Sequence, residues 1–123
     1  MTNDDRLVSR HLGGVEKAIN AALPSLEACW LLETELRRAA QRSDDFGQAE
    51  ATALLDRVTL HNATPAIFLQ AGLLPGRSLR SLDAVHLASA IAIGADAVAT
   101  YDVRLAAAAE EVGQAVIAPA SDE

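Results

Sequence analysis

The chain has 123 residues, half of them hydrophobic, and a net charge of -7; that suits one domain with a well-buried core and gives no broad cationic face for gripping nucleic acid. Cys29 is the single cysteine, so no intrachain disulfide can form and the cytoplasm is the expected location. No apolar run reaches the roughly 18 to 20 residues of a membrane span, and the opening MTNDDRLVSR lacks the apolar core of a signal peptide, so no membrane partner is expected.

Apolar spacing and turn signals predict alternating helices and short strands. Residues 1–12 are expected to be irregular. Gly13 and Gly14 precede a short helix, Val15 to Leu23, and Pro24 starts an extended piece, Ser25 to Cys29. This leads directly into a helix from Trp30 to Arg42. Ser43 to Gly47 reads as a loop, Gln48 to Asp56 as an amphipathic helix, and β-branched Val58-Thr59-Leu60 as a strand. A helix begins near Thr64-Pro65, where proline suits the first helical position, and Leu74-Pro75-Gly76 ends it.

Ser81 is a good N-cap for the run Leu82 to Ile93, which is apolar almost all round, as a helix buried on both sides must be. Gly94 stops it. Ala97 to Thr100 follows as a strand, Val103 to Val112 as a helix and Ala115 to Ile117 as a last strand before Pro119, with residues 120–123 expected to be disordered. The order is β-α-β repeated. Crossover helices imply parallel pairing, and parallel sheets place their sites beyond the carboxyl ends of the strands, where Thr100-Tyr101-Asp102 falls. The predicted fold is an α/β domain spanning residues 1–123, with a small parallel sheet flanked by helices.

Carboxylates are the candidate site residues, and each also has an ordinary structural reading. Glu33 stands four residues before Arg37, the favourable spacing for an exposed pair. Glu35 falls beside Leu32, Leu36 and Ala39 on the inward stripe, where a carboxylate needs a partner or a route to solvent. Asp83 lies in the first turn of its helix, where the dipole favours negative charge. With His86 and Ser89 it forms the polar line of an apolar helix, so this line is expected to face a cavity or cleft. His86 reads as a packed or orienting histidine rather than a metal ligand, able to hold Asp83 through a ring N–H. Asp102 has the position of an N-cap, with Thr100 and Arg104 as neighbours that could cap or pair with it. Asp96 reads as a turn residue. Hard oxygen donors converging at one edge would suit Mg2+ or Mn2+.

The segments Leu79-Arg80-Ser81-Leu82-Asp83-Ala84-Val85-His86-Leu87-Ala88 and Gly94 to Leu105, in this order and spacing, strongly resemble the PIN-domain ribonucleases of the VapC toxin type. The helix Leu31 to Ala39 resembles the one that carries that family's second acidic residue. The resemblance implies a PIN-like three-layer fold. It assigns the second acidic position to Glu35, the third to Asp83 and the fourth to Asp102, with Thr100 near the metal-bound water and Arg104 near substrate or inhibitor. It implies Mg2+ or Mn2+ as cofactor, RNA as substrate, and silencing by a small VapB-like antitoxin.

The family opens with a strand ending in an aspartate, and counting back from Glu35 puts that residue before Met1. The first strand is therefore expected to be missing, with Asp4 or Asp5 as the available substitute carboxylates. Two readings follow: a metal-dependent ribonuclease, or a catalytically impaired PIN domain that binds an antitoxin or a sister subunit. Apolar Ile67-Phe68-Leu69 points to a homodimer or an antitoxin complex.

Overall fold

The computed structural model describes residues 26–100 and 102–117. The expected helix Val15 to Leu23, the irregular stretch 1–12, Asp4, Asp5, Tyr101 and the tail 120–123 lie outside the described residues. The elements are β1 (Glu27–Cys29), α1 (Leu31–Arg42), α2 (Gln48–Leu55), β2 (Thr59–His61), α3 (Pro65–Leu73), α4 (Ser81–Ala92), β3 (Val98–Ala99), α5 (Val103–Glu111) and β4 (Val116–Ile117). Their order and type are those predicted, so the α/β architecture stands.

Boundaries shift by a residue or two for local reasons. Trp30 caps α1 rather than opening it. Arg80 occupies the cap of α4, and Ser81, the expected cap, is its first helical residue. The strand after α2 starts at Thr59, because Val58 closes the preceding turn through a bond from its N–H to the Leu55 carbonyl. At α3 the expectation holds: the Thr64 hydroxyl accepts from Ile67 N–H and Pro65 occupies the first helical position. Gly94 ends α4 at φ 69°, a left-handed turn that costs glycine little.

Strands pair in parallel, as crossover helices require. Among the described residues they form two ladders rather than the single small sheet expected: β1 with β2 over three residue pairs, from Glu27 opposite Thr59 to Cys29 opposite His61, and β3 with β4 over two. No described strand bridges the two ladders. Helices therefore supply most of the core. One cluster packs Leu32 and Leu36 of α1 against Phe46 and Ala51, Leu54 and Leu55 of α2. A second joins Cys29, Ala71, Ala84, Val85 and Ala88. The third sets Leu87 against Leu105, Ala108 and Ala109. Burying leucines such as Leu36 and Leu87 contributes about 1.5–3 kcal/mol each.

α4 is the element shared by the second and third clusters, which fits its expected central role. It is not enclosed all round, however. Leu82 and Ile91 are 52% and 43% exposed, since the layers covering α4 leave parts of its two ends open.

Candidate functional site

α1 starts immediately beyond the carboxyl end of β1 and carries Glu35 in its second turn. The amphipathic pattern buries Leu32, Leu36 and Ala39 and leaves Glu35 at the edge of that stripe, its side chain 20% exposed. The carboxylate finds a partner on α4: His86 Nε2 lies 2.6 Å from Glu35 Oε1. The other ring nitrogen, Nδ1, lies 3.5 Å from the Sγ of Cys29, which is buried at the end of β1. His86 was expected to hold Asp83 from within α4. Instead both ring nitrogens are engaged across the fold, and the acidic partner is Glu35.

Burial alone would lower the His86 pKa, but the hydrogen bonds and charges of Cys29 and Glu35 outweigh it and push it up to about 10. The ring is therefore an imidazolium at neutral pH, and the bond to Glu35 is charge-assisted, which accounts for its shortness. Burial tends to raise the Cys29 pKa, yet the bond and positive charge of His86 bring it below the ordinary thiol value. Ser89, one turn further along α4, is buried with no hydrogen-bond partner of ordinary geometry for its hydroxyl, although it lies close enough to help lower the thiol. On the polar line of α4, His86 meets both Cys29 and Glu35, and Ser89 lies beside Cys29.

Asp102 follows β3 and forms the N-cap of α5, with Oδ1 accepting from the N–H groups of Arg104 at 2.8 Å and Leu105 at 3.3 Å. Thr100 Oγ1 accepts from the N–H of Asp102 at 2.9 Å, and Arg104 Nε stands 4.0 Å from Asp102 Oδ1. The capping and pairing reading of these three residues is what the local chain displays. Asp83 lies in the first turn of α4. Glu33 turns to Arg37, 2.7 Å away, and Asp96 is exposed, both as expected.

Glu35, Asp83 and Asp102 were expected to converge on one metal. Among the described residues no three His, Cys, Asp or Glu side chains are gathered closely enough to hold a metal ion. Two of the three carboxylates are already oriented by the fold, Glu35 by His86 and Asp102 by its own helix. Chemically the set, being made of carboxylates, fits a hard divalent cation. A hollow of about 390 Å³ opens on the Glu33 face of α1, lined by Trp30, Arg37, Thr52 and Asp56 among others, and includes none of the three carboxylates. Cys29 is the site residue the sequence reading missed. Nothing local marks it, because its partner is distant in the chain.

Comparison with known proteins supplies the relationship. The PIN domain model matches residues 10–111. Ribonuclease VapC35 of Mycobacterium tuberculosis (strain CDC 1551 / Oshkosh) is 39% identical over 93 residues, covering 72% of this chain and 69% of the relative. Ribonuclease VapC46 of strain ATCC 25618 / H37Rv is 52% identical over 92 residues, covering 72% and 70%. No solved structure gives a significant match. With a family model spanning most of its length and relatives well above 30% identity, this chain belongs to the PIN-domain family, in its VapC-type branch.

Proposed function

We propose that this chain is a divalent-metal-dependent endoribonuclease that hydrolyses RNA phosphodiester bonds and is silenced by a small VapB-like antitoxin. The observation that carries the reading is that the matched PIN span, residues 10–111, contains Glu35, Asp83 and Asp102, each in or beside the amino-terminal half of a helix. Helix N-termini favour anions, so a phosphate would be welcome close to these positions. Asp83, Asp102 and Glu35 would hold Mg2+ or Mn2+. The chemistry such an ion supplies when bound is Lewis acidity, which polarises a phosphoryl oxygen and makes water nucleophilic at neutral pH.

The remaining work falls to the chain itself. Thr100 fixes the turn that leads into Asp102, and Asp102 locks the start of α5. Arg104, half exposed beside Asp102, offers a guanidinium to a phosphate. With a net charge of -7, RNA binding depends on such local cations rather than on a general field. Phe68, Leu69 and Leu73 on α3 are exposed, and this apolar face supports a homodimer or antitoxin contact. No helix among the described residues is long and apolar enough to cross a membrane, and the cytoplasm remains the proposed location.

A second reading is a PIN domain retained for binding an antitoxin or a sister subunit rather than for cleavage. Metal-dependent cleavage of total RNA by the chain and by its Asp83→Asn variant separates the two. Cleavage that needs Mg2+ or Mn2+ and is lost in the variant supports the enzyme. A folded chain that binds antitoxin but cleaves nothing supports the binding module.

A further inference from the structure

α4 packs mainly through Ala84, Val85, Leu87 and Ala88, and His86 lies on its polar line. The ring is gripped at both nitrogens, by Cys29 Sγ at 3.5 Å and by Glu35 Oε1 at 2.6 Å. A single hydrogen bond leaves an imidazole able to swing about its attachment. Two bonds on different edges fix its rotation as well as its position. The anchor is rigid, since Cys29 is 1% exposed and is the last residue of β1, paired with His61 of β2. Glu35 sits on the helix that begins just beyond that strand. The three groups thus form a chain from the strand end, through α4, back to the carboxylate.

We propose that His86, anchored by Cys29, is a positioning residue that fixes the direction in which Glu35 presents its carboxylate to a divalent cation; the inference rests on the ribonuclease reading above. A glutamate on a helix flank has several rotatable bonds, and ordering them on metal binding costs free energy. A bond already made to a fixed imidazole removes much of that cost and narrows the geometry the ion meets. The link is reciprocal. Without Glu35, the mostly buried Nε2 N–H would lose its acceptor.

The test is Mn2+ binding by the RNA-free full chain, measured by calorimetry, alongside metal-dependent RNA cleavage and a circular-dichroism melt that verifies folding. His86→Leu should weaken Mn2+ binding about 10- to 100-fold. His86→Gln, whose amide nitrogen reaches the place of Nε2, should recover most of that loss. In a Glu35→Gln background, His86→Leu should cost no more than roughly 2-fold, the ordinary scatter of independent sites. Equal losses in both backgrounds, or Mn2+ affinity indifferent to His86→Leu, overturn the proposal. Should His86→Leu fail to fold, Cys29→Ala carries the test: weaker Mn2+ binding supports the anchor, and unchanged binding overturns it. An unsubstituted chain that binds no Mn2+ and cleaves no RNA overturns the ribonuclease reading and this inference with it, whereas Mn2+ binding that ignores His86 overturns the positioning role alone.

Discussion

The Glu35 side of the molecule is held by residues far apart in sequence, the Asp102 side by neighbours. Glu35 and His86 are separated by 51 positions and Cys29 and His86 by 57, so their bonds exist only once β1, α1 and α4 have packed. Asp102 is fixed by Thr100, Arg104 and Leu105, two or three positions away. Both arrangements orient a carboxylate, but they have different vulnerabilities. A local cap survives loosening of the core, whereas a tertiary link fails with it. The difference also predicts which substitutions alter activity alone and which alter the fold.

The largest expected effect is on the chemistry of the Asp102 side. Asp102→Asn keeps the cap, since asparagine serves as well as aspartate at that position, but removes the charge. RNA cleavage should fall by about 100-fold or more with the melting temperature nearly unchanged. Full activity in a folded Asp102→Asn protein would falsify its role as a metal donor.

Stability separates the sides next. Glu35→Ala leaves His86 without its acceptor in a mostly buried position, and urea unfolding should show a loss of about 1–3 kcal/mol. Asp102→Ala removes only a cap, and the same measurement should give about 1 kcal/mol. The reverse ranking would show that the local contact matters more to the fold than the tertiary one.

A pH series sharpens the comparison. The His86 pKa rises from 6.5 to about 10 on folding, so the folded state holds the proton more tightly than the unfolded one. The stability gained is fully present below pH 6.5 and is lost as pH rises toward 10. Cys29, lowered from 9.0, works in the opposite sense, its contribution being lost as pH falls through its folded value. The stability difference between the unsubstituted metal-free chain and its His86→Gln variant should therefore be largest below pH 6.5 and shrink as pH rises toward 10, as read by urea unfolding. The smallest effect belongs to neither side. Glu33→Gln breaks an exposed pair with Arg37 and should change stability by roughly 0.2–0.5 kcal/mol, leaving cleavage as it was; a large drop in activity would move the site to the Glu33 face of α1.

The same contrast explains what could be read from sequence. The Thr64-Pro65 helix start, the Glu33–Arg37 pair and the Asp102 cap are each set by residues within a few positions of one another, and local chemistry is what a sequence displays; parallel pairing was legible because a crossover helix between strands requires it. The placement of Glu35 at the edge of a buried stripe was also legible, because it follows from helical periodicity. Its partner was not. His86 was assigned to Asp83, three residues away on the same helix, when the contact made is with α1. The exposure of Leu82 and Ile91 escaped for a related reason: periodicity tells which residues are apolar, while the extent of the covering layers is a property of the assembled fold.

Leu87 has a consequence for timing. Fully buried on α4, it packs against Leu105, Ala108 and Ala109, and Val98 of β3, Val112 after α5 and Val116 of β4 join the same cluster. Amide hydrogen exchange tests whether this block opens as a unit, with the α5 protons lost together. Asp102 rides on that block. The helix it caps is therefore held in place by the packing of a leucine one helix earlier in the chain.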